Sequence, residues 1–229
     1  MIKINGNFGN EQSFHSFAAD FEAMEVQERI VQKGYDLFMR YGIRSVSMDE
    51  IASQLGMSKK TIYQFFADKD ALVNNVIDIV ISKSVEESRI HRERSENAVQ
   101  EIFMATEMFI DVFNTMNPTI IYDLQKYHPA AYKKIDDYRN NFLFRMVREN
   151  LEKGIENQLY RPEINTDIIS RFRLASIFSV FNPEYYPLGK FQLSTIVDEL
   201  TVQFMCGITT AKGRRMVERY LLKRRNKKD

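Results

Sequence analysis

The chain has 229 residues, of which 44% are hydrophobic and 28% are charged, a balance typical of a globular protein with one large domain or two smaller ones. A single cysteine, Cys206, excludes a disulfide framework and a cysteine zinc cluster, and it favours a reducing, cytoplasmic location. No stretch approaches the length of about 18 uninterrupted apolar residues that a membrane span requires, and the N-terminus lacks the features of a signal peptide. We therefore expect neither membrane insertion nor export.

The net charge of +1 hides an asymmetry. Residues 212–229 contain nine Lys or Arg and two acidic residues, a local charge of +7, so the rest of the chain carries −6. The globular body is mildly acidic, and the basic tail is most simply a solvated helix end. Any contact with DNA must therefore depend on a few locally placed residues.

The first 23 residues contain few strong helix formers, and we expect a loosely ordered arm with one or two helical turns. The helical pattern sharpens at Met24, and Gly42 is a natural residue to end this first helix. The apolar residues on one face of the helix are Val26, Ile30, Leu37, Phe38 and Tyr41.

Three short capping patterns follow. Ser47 with Glu50 forms a capping-box signature, which predicts a helix that starts at Met48 and ends at Gly56. Ser58 predicts the start of a third helix over residues 59–66.

Asp68 predicts a fourth helix that begins near Lys69. Two short helices that are joined by a tight glycine turn and preceded by a longer helix are typical of a helix-turn-helix unit.

The helices lengthen beyond residue 95, and Pro118 and Pro129 interrupt them. The predicted fold is all-α, with an N-terminal helix-turn-helix domain and a larger C-terminal helical bundle. The predicted divisions are an arm at 1–23, a DNA-binding domain at 24–72 and a bundle at 73–229. Predicted helices of the bundle cover residues 130–157, 165–182, 191–208 and 212–225.

The third helix has two different faces. Ile62, Phe65 and Phe66 fall on the inward side, and the opposite side carries Lys59, Lys60, Thr61, Tyr63 and Gln64. Ammonium, hydroxyl and amide groups on one small helix match phosphate oxygens and base edges in a major groove. The alternative is an ordinary solvated lysine face.

Residues 28–77 resemble the DNA-binding domain of the tetracycline repressor (TetR) family. The resemblance depends on the pair Tyr41-Gly42, on the pattern S-x-x-x-I-A-x-x-L-G-x-S over residues 47–58, on Thr-Ile-Tyr at 61–63, on an aromatic pair, and on a lysine followed by leucine at 69–72. It implies a cytoplasmic, bacterial transcription regulator that binds double-stranded DNA as a homodimer, most often as a repressor. Family members usually begin a few residues before helix one, so the 23 residues before Met24 are an arm, an extra helix or an upstream start.

The resemblance also implies residue roles. Ser47, Tyr63 and Lys69 match phosphate-contacting positions, and Lys59, Lys60, Thr61 and Gln64 match the variable positions that face the groove. The predicted DNA-binding residues are Ser47, Ser58, Lys59, Lys60, Thr61, Tyr63, Gln64 and Lys69.

The family also uses its bundle to bind a small effector and to dimerise. We expect a partly apolar effector, because Met and aromatic side chains suit adaptable cavities, although the same residues could simply fill a core. The predicted lining is Met104, Met108, Phe109, Phe113, Tyr122, Tyr127, Phe142, Met146 and Phe178, with Met116 and Phe181 beside them. An acidic effector could pair with Arg139, Arg145, Arg171, Arg173 or His128, although surface ion pairing explains these as well.

The predicted dimer interface lies on the helices at 165–182 and 191–208. Small residues among their apolar side chains permit close packing across a two-fold axis. The residues concerned are Ile168, Phe172, Ala175, Ile177, Ile196, Leu200 and Phe204.

Two other functional classes compete with a ligand-responsive regulator. One is a helical small-molecule-binding or scaffold protein without operator recognition. The other, an enzyme, is disfavoured because His15, His91 and His128 are scattered and no nucleophile motif, metal-ligand spacing or phosphate-binding glycine loop occurs. We expect no cofactor and no metal.

Overall fold

A computed structural model describes residues 11–187 and 189–225, with side chains from Met24 to Arg224 except at position 188. The regular structure of this part of the chain is helical, which confirms the predicted all-α fold. The helices are α1 (Glu11–Tyr41), α2 (Met48–Leu55), α3 (Lys59–Phe65), α4 (Lys69–Arg94), α5 (Ala98–Thr115), α6 (Ile120–Tyr127), α7 (Pro129–Asp137), α8 (Phe144–Glu156), α9 (Thr166–Phe178), α10 (Leu193–Ile208) and α11 (Ala211–Arg225).

Local signals set the boundaries of the short helices. Ser47, Ser58 and Asp68 each accept a hydrogen bond from the backbone N–H three residues ahead, at 2.8–3.1 Å, as the predicted caps require. Gly42 and Gly56 adopt left-handed φ angles of 83° and 65°, where a side chain would be strained. The predicted starts of α2, α3 and α4 are confirmed.

Helix α1 begins earlier than predicted. It starts at Glu11 and is continuous through Met24, whereas residues 1–10 of the predicted arm lie outside the described residues. Once residues beyond Met24 form a helix, each further turn needs only propagation and no new nucleus. Weak helix formers can therefore extend a helix that they would not start.

Helix α4 joins the two domains. It runs through the predicted boundary at 72–73, and its buried residues lie in the same core as α1 to α3. That core also contains Ile120 and Leu124 of α6 and Ala131 of α7. The helix-turn-helix unit is therefore packed directly against the bundle.

The bundle is built mainly from α5 and α8 to α11. The predicted helix at 130–157 is continuous as α7, a π-helical segment at Tyr138–Leu143, and α8. At the end of the π-helical segment, the Phe144 N–H donates a hydrogen bond to Arg139 O, five residues earlier in the chain. The structure describes no helix that is long and apolar enough to cross a membrane.

Candidate DNA interface and effector cavities

Helix α3 is fixed by its inward face and exposes its polar face. Ile62 and Phe66 are fully buried in the core that α1 to α4 share, and the half-buried Phe65 packs against that core. Lys60, Tyr63 and Gln64 are exposed at a spacing of three and four residues, which places them on one side of the helix. This side is free to enter a groove.

The two adjacent lysines differ in environment. Lys59 Nζ lies 2.8 Å from the carboxylate of Asp49 on α2, and this bond raises the pKa of the Lys59 ammonium. Lys60 makes no ion pair with any residue from Met24 to Arg224 that the structure describes. Lys60 is therefore available to DNA, whereas Lys59 must exchange its partner to reach it.

The Ser58 and Thr61 hydroxyl groups lie together at the start of α3. Ser58 Oγ accepts from the Thr61 N–H at 3.0 Å and lies 2.8 Å from Thr61 Oγ1. Ser47 Oγ accepts only from the Glu50 N–H, at 3.1 Å, among its described neighbours, so its own proton can be donated to a phosphate oxygen. The caps thus hold both helices in place, and the Ser47 hydroxyl proton has no acceptor among the described residues.

Lys69 lies at the junction of α4 with the preceding turn. Its side chain is half-buried, and Nζ lies 5.9 Å from the centre of the Phe38 ring. Burial lowers the pKa of the ammonium, and the nearby Asp123 and Asp70 carboxylates oppose that shift. The ammonium group itself is therefore partly desolvated, beside the Phe38 ring at the start of α4.

A first cavity, here called the apolar cavity, has a volume of about 160 Å³ and lies at the domain junction. Phe38, Met39 and Ile43 of the helix-turn-helix unit form part of its wall. The Ser84 and Tyr138 hydroxyls are polar groups in its lining, and they bond to each other at 2.7 Å. Its lining from the bundle includes Met108, Phe109, Val112, Phe113, Met116, Leu143, Phe178 and Phe181.

A second cavity, here called the polar cavity, has a volume of about 120 Å³ and lies between α4, α5, α8 and α9. Met108, Phe109, Leu143 and Phe178 line both cavities and form a shared wall. The other lining residues include His91, Glu101, Thr106, Met146, Asn150 and Arg173.

Residues 30–76 match the family model described as bacterial regulatory proteins, tetR family. YvaF of Bacillus subtilis, an HTH-type transcriptional regulator, is 25% identical over 189 residues, which cover 80% of this chain and 96% of YvaF. The transcriptional repressor KstR2 of Mycobacterium tuberculosis is 25% identical over 142 residues, which cover 59% of this chain and 70% of KstR2. The chain belongs to the TetR family. It is a DNA-binding transcription regulator of that family.

Solved structures agree with the TetR fold along most of the chain. A transcriptional regulator from Cytophaga hutchinsonii superimposes with a TM-score of 0.67 at 20% identity, covering 80% of this chain and 98% of that one. A regulator from Saccharomonospora viridis, determined in complex with choline, has a TM-score of 0.68 at 15% identity, covering 82% of this chain and 99% of that one.

The structure separates the predicted effector residues of this TetR-family chain into two groups. Met108, Phe109, Phe113, Met146 and Phe178 line one or both cavities, as do Met116 and Phe181. The other predicted residues, Met104, Tyr122, Tyr127 and Phe142, line neither cavity.

Each of the four residues outside the cavities has a different environment. Tyr122 and Tyr127 are exposed, and their rings contact each other on the surface. Phe142 stacks on Tyr138 with ring centres 5.4 Å apart, and Met104 lies in a surface groove beside Tyr220. Helical spacing alone does not distinguish these positions from the cavity wall.

The predicted polar partners of an acidic effector also separate. Arg139 pairs with Asp136, Arg171 pairs with Asp167 on the surface, and Arg145 is exposed. Of the five candidates, only Arg173 lines a cavity, and its side chain is 5% exposed. His128, the fifth candidate, lies at the domain junction and pairs with Asp70.

Polar contacts at that junction were not apparent from the sequence. The buried Asp123 carboxylate of α6 accepts from the Arg44 N–H at 3.1 Å, and the Asn117 N–H donates to Met39 O at 2.7 Å. The Asp70 and His128 side chains add a direct contact between α4 and the end of α6. Because these partners are 58 to 79 residues apart, no local pattern in the sequence connects them.

We expect Gly42→Ala to destabilise the protein more than Gly56→Ala does. Both glycines have left-handed φ angles, which cost an alanine about 1 kcal/mol. A Cβ at Gly42 would lie 2.6 Å from Thr119 Oγ1, whereas a Cβ at Gly56 meets no atom of the described residues within 4 Å. Urea unfolding should show an additional loss of about 1 kcal/mol at position 42.

Thr119→Ala provides the matched test. It should recover much of that additional loss in the double variant, which a double-mutant cycle measures. Equal destabilisation by the two glycine variants, or no coupling with Thr119, would contradict the packing of the loop between α5 and α6 against the helix-turn-helix unit.

Proposed function

We propose that this regulator is a homodimeric repressor that binds a pseudo-palindromic operator and is released by a small-molecule effector. The apolar cavity carries this proposal, because helices of both the DNA-binding unit and the bundle form its wall. A molecule that fills it therefore contacts both parts and favours one relative arrangement of them. KstR2 is a transcriptional repressor and the S. viridis regulator binds choline, and both facts are consistent with this assignment.

Recognition of DNA is assigned to the exposed side of α3. Lys60, Thr61 and Gln64, with Lys59 after release from Asp49, are proposed to contact base edges. Ser47, Ser58, Tyr63 and Lys69 are proposed to contact the sugar-phosphate backbone and to fix the orientation of α3.

Dimerisation is assigned to α9 and α10. Ile168 and Phe172 are 61% and 58% exposed, and Phe172 lines a surface groove of about 290 Å³ with Leu200 and Gly207. Ile177, Ile196 and Phe204 of the predicted interface are instead buried within the protomer. A two-fold pair would place two α3 helices in successive major grooves, about 34–36 Å apart.

The test is binding of the purified protein to the DNA upstream of its own gene, measured by fluorescence anisotropy at moderate salt. We expect sequence-preferring binding with a steep dependence on salt concentration. Binding that does not prefer that DNA over a scrambled duplex would contradict operator recognition and favour a small-molecule-binding or scaffold protein instead.

Lys69→Ala should weaken binding to operator and scrambled DNA alike by about 1 kcal/mol, roughly fivefold in Kd, because it removes one phosphate contact. The slope of log K against log salt should fall by about one. Lys83→Ala is the matched control, since Lys83 lies later on the same helix and also packs over an aromatic ring, Tyr35 at 5.8 Å. If both variants change the slope equally, Lys69 has no specific contact with phosphate.

A further inference from the structure

The polar cavity contains buried polar atoms that lack a hydrogen-bond partner among the described residues. They are His91 Nδ1, Glu101 Oε2 and Arg173 Nη1, and all three side chains line this cavity. Such atoms are rare in native proteins, because burial without a partner is unfavourable. Their convergence on one cavity indicates that the cavity receives a polar group of a ligand.

Among the charged side chains that line the polar cavity, Arg173 is the one whose charge the surrounding residues compensate least. Its Nη2 donates to Thr106 Oγ1 at 3.2 Å and to Thr201 Oγ1 at 3.0 Å, and the Phe204 ring lies 4.9 Å from Cζ. No carboxylate of the described residues pairs with it. Burial lowers its pKa to about 10, so the guanidinium is still charged at neutral pH.

Glu101 differs from Arg173 because a cation already compensates its charge. Its Oε1 accepts from Arg92 Nε at 3.0 Å, and Arg92 also pairs with Glu149 at 2.5 Å. The second oxygen of Glu101 lies against the same cavity as Arg173. A nearby carboxylate opposes a dianion in that space, so the balance of charges favours a head group with a single negative charge.

The shared wall connects this polar site to apolar space. Met108, Phe109, Leu143 and Phe178 separate the two cavities, and unbranched methionine and rotatable aromatic side chains can move aside. Beyond them, the Ser84 and Tyr138 hydroxyls satisfy each other, so the apolar cavity favours hydrocarbon.

We propose that the effector is an amphiphilic carboxylate whose head group pairs with Arg173 Nη1 and whose hydrocarbon part extends past Met108 and Phe178 into the apolar cavity. This inference depends on the proposed function only in calling the occupant the effector. The choline of the S. viridis regulator is a cation, so the head group inferred here has the opposite charge.

The test is calorimetric titration of the DNA-free protein with four probes that share a ten-carbon chain: decanoate, decanol, decyl phosphate and decyltrimethylammonium. Decanoate should bind roughly ten- to hundredfold more tightly than decanol, because it gains a charge-assisted hydrogen bond in a buried site. This comparison needs no variant.

Arg173→Met should remove the advantage of decanoate and leave decanol binding unchanged. The variant is expected to fold, because the Thr106 and Thr201 hydroxyls keep their own bonds to Ile102 O and Val197 O. Arg171→Met is the matched control, since Arg171 lies on the same helix but is exposed and paired with Asp167. Arg173→Lys should retain part of the advantage.

The outcomes separate the two proposals. The inference is overturned if decanol, decyl phosphate or decyltrimethylammonium binds as tightly as decanoate, if no probe binds, or if Arg173→Met leaves decanoate binding unchanged. If decanoate binds through Arg173 but does not change operator affinity, the head-group assignment stands and effector-controlled release from DNA fails.

Discussion

Phe172→Asp is expected to convert the protein from dimer to monomer and to abolish tight operator binding. The Phe172 ring is 58% exposed in the protomer, and the structure describes nothing that covers it. Exposed aromatic side chains at the centre of an interface commonly contribute about 2–4 kcal/mol, so the dimer dissociation constant should rise roughly thirty- to thousandfold. A buried aspartate without a partner adds a desolvation penalty.

The measurement is sedimentation equilibrium, combined with anisotropy on DNA that contains one or two half-sites. The monomeric variant should bind both DNAs with similar, weak affinity, because only one α3 helix engages at a time. Its free energy of unfolding as a protomer should change little, since the substituted side chain is exposed.

Leu222→Asp is the matched control. Leu222 is 59% exposed on α11, and it should tolerate the same charge without loss of the dimer. Gly207→Leu supplies an independent test of the α9–α10 face, because a Cβ at Gly207 meets no described atom within 4 Å in the protomer but would obstruct a closely packed partner. A dimeric Phe172→Asp variant, or a monomeric Leu222→Asp variant, would show that the interface lies elsewhere.

Local chemistry explains why the helix-turn-helix unit could be predicted from the sequence. Ser47, Ser58 and Asp68 bond to backbone N–H groups only three residues away, and Gly42 and Gly56 adopt conformations that other residues rarely accept. Each signal and the structure that it specifies lie within one helical turn. The resemblance to the TetR family depends on the order of these signals along the chain.

The cavities depend on contacts between distant segments and could not be predicted in the same way. Arg171 and Arg173 lie on one helix, yet only Arg173 is buried, because Thr106 of α5 and Thr201 of α10 meet it there. Helical spacing identifies inward positions without showing which inward surfaces stay unfilled. Tyr122 illustrates the limit, since an aromatic residue suited to a cavity lies exposed on α6.

The same limit applies within α3. Lys59 and Lys60 are equivalent in the sequence, and the prediction treated both as groove-facing. Only the packing of α2 against α3 brings Asp49 to Lys59 and leaves Lys60 without an ionic partner among the described residues. We therefore expect Lys60 to contribute more than Lys59 to the preference of the protein for particular DNA sequences.

Gly154→Ala is expected to cause a large loss of stability in the bundle, about 3 kcal/mol or more. The chain leaves α8 and folds back, so that the Leu159 and Tyr160 N–H groups both donate to Gly154 O, at 2.8 and 3.0 Å. A Cβ at Gly154 would lie 2.0 Å from the Tyr160 ring. That ring is fully buried and its hydroxyl donates to Asn150 Oδ1 at 3.2 Å, so it cannot move aside without breaking a buried bond.

The loss should extend to the polar cavity, because Asn150 lines it and the Asn150 amide donates to Ala98 O at 3.0 Å. Urea unfolding monitored by circular dichroism gives the stability, and Gly34→Ala is the matched control. Gly34 is also a buried helical glycine, but a Cβ there would lie at an ordinary 3.4 Å from Leu72, so its substitution should change the free energy of unfolding by less than about 1 kcal/mol. Similar stability of the two variants would mean that the turn after α8 can shift away from Gly154, and the position of Asn150 in the cavity would then have to be reassigned.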